Sequence, residues 1–198
     1  MFNAIKWIAS AILSYILVGF LFQAYSFAAE PCKYADKRIC DINSVLEAET
    51  HHNVTFKVDY TARVADYEWV VGAPDIVHLG DTTQLTDDEL FFALAHEFGH
   101  SVMKHGRKFV ESFGPESAKF ETDNDLLAKY GKLAQEGEGQ QALNHGQEYQ
   151  ADEFAAHIMA KRGLDVIKAV KGLLKPSASS VSHPSKAARI EKLRQIVS

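Results

Sequence analysis

Basic residues are nowhere clustered in this 198-residue chain. Lys and Arg number 21 against 26 Asp and Glu, for a formal net charge of −5. Proteins that bind nucleic acid carry a positive stripe or patch, so no nucleic-acid partner is expected. No stretch recurs at a fixed period, which excludes solenoids and propellers. Cysteine is nearly absent: Cys32 and Cys40 stand alone. Their spacing is long for a two-cysteine zinc site, and no histidine pair lies beside them. In an exported chain an even count at short spacing reads as a disulfide, here stabilising by roughly 2–3 kcal/mol in the chain-entropy model. Two free thiols are the alternative. The length suits one domain with a sizeable core and is short for two.

Charge is also missing near the N-terminus, where Lys6 is the only charged side chain before Glu30. Between them runs an apolar stretch from Trp7 to Phe22. Ser26-Phe27-Ala28 has the small-x-small form of a signal-peptide cleavage site, which places cleavage after Ala28, with Ala29 as second choice. Loss of Lys6 would take the net charge from −5 to −6. The competing reading is an uncleaved anchor that associates the chain with the membrane, since the run approaches the length of a span. Either way residues 29–198 form the folded domain, outside the cytoplasm, with the periplasm as the expected compartment. Cys32 follows Pro31, unlike a lipid-attachment box.

The sequence is rich where it reads Leu90 to His105, LFFALAHEFGHSVMKH. His96-Glu97-Phe98-Gly99-His100 is an H-E-x-x-H pattern. On a helix, residues four apart share a face, so His96 and His100 can grip one metal ion. Glu97 lies on the adjoining flank, within reach of a proton on a water at that ion. Thr86-Asp87-Asp88-Glu89 reads as a capping box with acidic residues at the positive end of the helix dipole. Leu90, Phe91, Leu94, Phe98 and Val102 recur at helical spacing. His105-Gly106 looks like the helix stop.

Around this helix the pattern predicts a mainly helical α+β domain with a small sheet before the H-E-x-x-H helix. Asp41 to Thr50 suits a short helix. Val54, Phe56, Val58 and Tyr60 alternate as in a strand, Tyr67 to Val71 reads as a second and Ile76 to Leu79 as a third. An edge strand along a peptidase cleft pairs with an extended polypeptide substrate and reads its backbone. Ile76–Leu79 is the candidate for that role, against the plainer reading of an ordinary core strand. Arg107 to Gly146 holds a weak helical pattern from Ser117 to Gln135, then a polar, Gly-rich run from Glu136 to Gln140. This segment reads equally as a lid over the cleft or as a solvated connection. Helices are predicted over Gln147–Arg162, stopped by Gly163, then over Leu164–Lys175 and Ser185–Val197.

A catalytic zinc site needs a third protein ligand and an open position. His105 does not suit the longer H-E-x-x-H-x-x-G-x-x-H pattern: Met103 stands at the Gly position and Gly106 at the last His position. Glu148 suits better. It shares a helix face with Asp152, four residues on. Glu148 can bind the metal, and Asp152 can accept a hydrogen bond from a ligand histidine and fix its tautomer. Ala151 between them allows this helix close to the metal helix. His51, His52, His78, His145 and His157 read as surface or structural, with His145 the nearest to Glu148.

H-E-x-x-H followed by E-x-x-x-D with Ala before the Asp, then Ser182-His183-Pro184 and Arg189-Ile190, resembles the gluzincin peptidases of the CAAX prenyl protease and HtpX type. Leu85-Thr86-Asp87-Asp88-Glu89-Leu90 fits them too, and the resemblance runs from Ile76 to Leu193. It implies a zincin-like fold and one Zn2+ per chain, held by His96, His100 and Glu148. It further implies Glu97 as general base, Asp152 behind the ligands, and His183 and Arg189 near the cleft. The chain lacks the hydrophobic spans that flank the motif in the membrane-embedded branch. It is closer to the exported single-domain bacterial relatives, which favours misfolded or partially folded proteins over prenylated substrates. On this reading Glu97 moves the proton from the attacking water to the leaving amine, and His183 donates to the oxyanion or occupies the open metal position at rest. The rival is a chaperone-like or scaffold protein with a structural or latent zinc site. An intact Glu97 argues against it, because a structural zinc needs no base.

Overall fold

The computed structural model describes residues 32–59, 64–68, 74–111, 138–174, 180 and 183–197. The proposed signal segment, the span 112–137 and most of the Ser-rich stretch after Pro176 lie outside them. The chain divides into units of residues 1–34 and 35–198; of the first only residues 32–34 are described, and the described helices and strands all belong to the second. Cys32 and Cys40 are both disulfide-bonded. Among the described residues no helix is long and apolar enough to cross a membrane.

The elements in chain order are α1 (Arg38–Thr50), β1 (Thr55–Val58), β2 (Ala65–Glu68), β3 (Ile76–Leu79), α2 (Asp87–Val102), α3 (His105–Glu111), α4 (Glu138–Lys161), α5 (Val166–Leu173) and α6 (Lys186–Val197). The unit is α+β and mostly helical, as the residue pattern predicts.

Helix α2 is the axis. Leu90, Phe91, Phe92, Ala93, Leu94, Ala95 and Phe98 are all buried on it. Around it pack Ile39, Ile42 and Leu46 of α1, Ala155, Ala156 and Met159 of α4, and Val166 and Val170 of α5, while α6, with Leu193 buried, packs on α4 and α5. Each Leu- or Phe-sized side chain buried in this way contributes about 1.5–3 kcal/mol. Both arms of the predicted capping box are present: the Thr86 hydroxyl accepts from the Glu89 N–H, and Glu89 Oε2 accepts from the Thr86 N–H at 2.8 Å. Arg38 ties the start of α1 to the same helix end. It donates to Asp36 (2.7 and 3.0 Å), to the Leu85 carbonyl (2.8 Å) and to Asp87 (2.9 Å).

The predicted helix stop is corrected. α2 ends at Val102, and the residue in the left-handed region is Lys104 (φ 56°), not Gly106. That turn swings the chain so that His105 opens a new short helix, α3, directed back at α2. Residues 138–146 are also helix, extending α4 ahead of its predicted start at Gln147. Gly146 faces open space within α4, so it relieves no crowding there. Gly163 (φ 70°) closes α4 as expected.

The sheet has the order β1-β3-β2, with β1 parallel and β2 antiparallel to β3. Ile76–Leu79 is therefore the central strand, not an edge strand. Val77 faces Phe56 on one side and Tyr67 on the other, and the backbone groups of β3 are shared between both neighbours. A substrate strand cannot be added to it. Of the second predicted strand, Tyr67 and Glu68 lie in β2, and residues 69–71 are outside the described set.

Gly172 of α5 faces the capping box, where a Cβ would sit 1.7 Å from Glu89 Oε1. Gly172→Ala is expected to drive Glu89 out of the box at a cost of about 0.5–2 kcal/mol, lowering Tm by a few degrees. In a Glu89→Ala background the same substitution should cost much less. Thermal melts of the four proteins check this, and an equal cost in both backgrounds would show that the glycine is needed for another reason.

Candidate metal centre

His96 and His100 project from one face of α2, and their Nε2 atoms lie 3.2 Å apart. Glu148 of α4 completes a triangle, with Oε1 3.3 Å from His100 Nε2 and Oε2 3.6 Å from His96 Nε2. The two helices come close because neither puts bulk at the crossing. Gly99 of α2 sits against Ala151 of α4, where a Cβ on Gly99 would lie 3.3 Å from the Ala151 Cα and 3.1 Å from Phe154 Cδ1.

This triangle fits a metal ion. Bonds of about 2.0–2.2 Å at tetrahedral angles hold ligand atoms about 3.3–3.6 Å apart; the two Nε2 atoms are 3.2 Å apart, and each has one of the two Glu148 oxygens at 3.3 or 3.6 Å. Glu148 Oε2 is buried and makes no hydrogen bond of good geometry, with only the flanking contacts of His183 and Arg189 beside it, and a cation would satisfy it. Burial by itself would raise the Glu148 carboxyl, but His100, His183 and His96 draw it below the usual carboxylate range. The donors His, His and Glu, with a cleft on the open side, can hold one ion and leave room for a water.

Each ligand histidine is held from behind. The His96 Nδ1–H points at Asp152 Oδ1, 3.0 Å away. Asp152 in turn is gripped by Arg189, which donates through Nε to Oδ2 (2.8 Å) and through Nη2 to Oδ1 (2.5 Å). Asp152 is 1 % and Arg189 6 % exposed, so this is a buried ion pair with bidentate geometry. Burial favours neutral Asp152, but His96 and Arg189 outweigh it and hold its carboxyl below the usual range. Arg189 Nη1 also lies 3.5 Å from Glu148 Oε2.

His100 is held by a residue that the sequence pattern set aside. His105 is fully buried, with Nδ1 2.9 Å from His100 Nδ1 and Nε2 3.0 Å from Gln150 Oε1. Burial pushes the His105 imidazole down to about 4, so it is neutral. Its role escaped the motif because Lys104, a non-glycine residue, makes the left-handed turn that aims it inward. The ring planes are also set by stacking: Tyr67 of β2 lies over His100 and Phe92 over His96. Nothing in the alternation around Tyr67 marked it for this place.

Glu97, half-buried, lines the same cleft of about 790 Å³, and burial raises its carboxyl above the usual range. His183, largely exposed, brings Nδ1 to 3.1 Å from Glu148 Oε2. The Ser180 N–H donates to the His183 carbonyl (2.8 Å), and His145 of α4 brings its Nε2 to 2.6 Å from the Ser180 carbonyl. His51, His52, His78 and His157 stand away from the centre. His52 Nε2 lies 2.6 Å from the buried Ser101 hydroxyl, which itself donates to Asp75. His78 pairs with Glu68 on the sheet, and His157 faces Glu153 one turn away on α4.

The sequence model of peptidase family M48 matches residues 76–197, and the chain belongs to that family. It is therefore a metallopeptidase of the HtpX and CAAX prenyl protease type. No curated protein matches it.

Arg189→Met leaves the Asp152 carboxylate buried without its cation, at an expected cost of about 3–5 kcal/mol. Adding Asp152→Asn should recover most of that loss, since the amide oxygen still accepts from His96. Urea denaturation of the metal-free proteins measures both. A double variant no more stable than Arg189→Met would mean that Arg189 stabilises by packing and not by charge.

Proposed function

We propose that this protein is a zinc-dependent endopeptidase that cleaves misfolded or partially folded proteins outside the cytoplasm. The observation that carries the reading is the His96–His100–Glu148 triangle at the floor of a cleft that also holds Glu97. Family membership supports peptide-bond hydrolysis, and two imidazoles with one carboxylate are a common donor set for catalytic zinc.

Zinc held by these three side chains would act as a Lewis acid and bring the attacking water's pKa to about 7. Glu97 accepts that proton and returns it to the leaving amine. Its raised proton affinity suits a shuttle better than an ordinary exposed carboxylate does. His183 donates a hydrogen bond to the carbonyl oxygen as charge develops there. Its contact with Glu148 favours a place beside the reaction and also leaves open a resting state in which His183 covers the metal position. Asp152 and Arg189 keep His96 oriented and do not touch the substrate.

The strand that would receive the substrate is β2, which among the described residues is a sheet edge and contributes Ala65, Asp66 and Tyr67 to the cleft wall. The Gly80 N–H donates to the Val64 carbonyl, which makes 64 and 80 a hydrogen-bonded pair in the antiparallel register. Alternation then turns the backbone groups of Asp66 and Glu68 toward β3 and those of Ala65 and Tyr67 outward. An extended peptide would pair with the outward groups, and such pairing reads backbone with little regard to sequence. That suits unfolded chains. The disulfide-bonded cysteines and the apolar N-terminal run support an oxidising compartment such as the periplasm.

The full reading is tested with residues 29–198, loaded with zinc, acting on casein. The unsubstituted protein should cleave it, and Glu97→Gln should bind one zinc per chain yet lose activity by about 10²–10⁴-fold. Stoichiometric zinc with no cleavage by either would favour the scaffold reading, and equal cleavage by both would remove Glu97 from the mechanism. The strand assignment has its own check. Ala65→Pro removes an outward N–H, worth about 0.5–1.5 kcal/mol, and should lower kcat/KM on casein roughly 2–10-fold with Tm nearly unchanged. Asp66→Pro, which removes a bond to β3, should lower Tm instead.

A further inference from the structure

We infer that His105 and Gln150 are positioning residues for the metal centre, a neutral hydrogen-bond relay that fixes which nitrogen His100 turns to the ion. The inference rests on the metal-site reading of His96, His100 and Glu148. It concerns residues that lie outside both the H-E-x-x-H and E-x-x-x-D patterns.

Donors and acceptors along the relay must match. For His100 to offer the lone pair of Nε2 to a cation, its proton must sit on Nδ1. That proton points at His105 Nδ1, 2.9 Å away. His105 Nδ1 must then be the acceptor, so its own proton sits on Nε2 and is donated to Gln150 Oε1 at 3.0 Å. The chain of bonds has one consistent direction, from His100 through His105 to Gln150. Both ring nitrogens of His105 are used, which also means that His105 is not a metal ligand. The relay is anchored on two elements: His105 opens α3, and its carbonyl accepts from the Gln147 side chain of α4 at 3.3 Å. His105 is 2 % exposed, so water cannot replace these bonds.

The two ligand histidines are thus backed in different ways. Behind His96 stands a carboxylate, and behind His100 a neutral imidazole. A carboxylate behind both would add a third buried negative charge to those of Glu148 and Asp152, and such a charge is costly. A neutral acceptor orients His100 without that penalty. Gln147 and Gln150 flank Glu148 on α4, so the same helix supplies the third ligand and the far end of the relay.

Zinc dissociation constants, measured by competition with a chromogenic chelator, test the relay. Four proteins are compared: the unsubstituted chain, His105→Phe, His105→Asn and Gln150→Leu. Phenylalanine keeps the ring volume and accepts nothing, so zinc binding should weaken about 10–100-fold. The asparagine Oδ1 falls where His105 Nδ1 lies, so His105→Asn should recover most of that loss, which a merely space-filling role would not allow. Gln150 is exposed, and Gln150→Leu should fold normally and weaken zinc binding by a smaller factor. Ring ¹⁵N NMR of the zinc-loaded unsubstituted protein should show His105 protonated on Nε2. The proposal is overturned by a His105 protonated on Nδ1, by His105→Phe holding zinc as tightly as the unsubstituted chain, or by asparagine performing no better than phenylalanine. Should His105→Phe not fold, Gln150→Leu decides alone, and unchanged affinity there overturns the relay. Failure of the unsubstituted protein to bind zinc at all would strike the metal-site reading itself, and is distinguished from these outcomes by needing no variant.

Discussion

The close crossing of α2 and α4 is the constraint on which the rest of the structure depends. Two of the candidate ligands come from one helix and the third from another, so a site that could hold a metal exists only at one interhelical distance. Gly99 against Ala151 sets that distance, with Phe154 packed alongside. A tetrahedral donor set tolerates only a few tenths of an ångström, and well-packed interiors transmit such shifts instead of absorbing them. The apolar burial of Phe92, Leu94, Phe98, Ala155 and Met159 is what presses the two helices together at the crossing.

Burying this much polar and charged chemistry in a small unit is costly, and the structure offsets the cost by pairing. Asp152 and Arg189 neutralise each other, and the same Arg189 reaches Glu148. His96 hydrogen-bonds the Asp152 carboxylate, while His100 hydrogen-bonds a neutral ring. Among the described residues, Glu148 Oε2 is a buried carboxylate oxygen at the centre without a well-formed hydrogen bond. The polar atoms that remain open, on Glu97 and His183, face the cleft. Family membership and this division between satisfied and open groups point the same way, to a hydrolytic centre and not a structural one.

The sheet completes the cleft from the other side. β3 is sheltered between two neighbours, and β2 turns one edge toward the metal side and stacks Tyr67 on His100. One short strand thereby both stacks on a candidate ligand ring and lines the cleft.

Much of this was legible in the residues alone. H-E-x-x-H on a capped, apolar helix needs only the 3.6-residue period to bring His96 and His100 together, and Glu148 and Asp152 follow from the same period on a second helix. Those are local facts, decided by spacing within one element. Three features were not legible, and each depends on how separate elements meet. Strand order placed Ile76–Leu79 at the centre of the sheet, because sequence order says nothing about which strands end up side by side. The left-handed Lys104 turned His105 back onto His100, because a non-glycine residue in that region is unfavourable by itself and is held there by tertiary packing. Tyr67 reached His100 only through the packing of β2 on α2. The sequence by itself determined the donor atoms and the helices that carry them, since helical geometry repeats wherever the residues allow it. Only the tertiary structure decided their second partners and the strand that lines the cleft, since those depend on contacts between segments far apart in the chain.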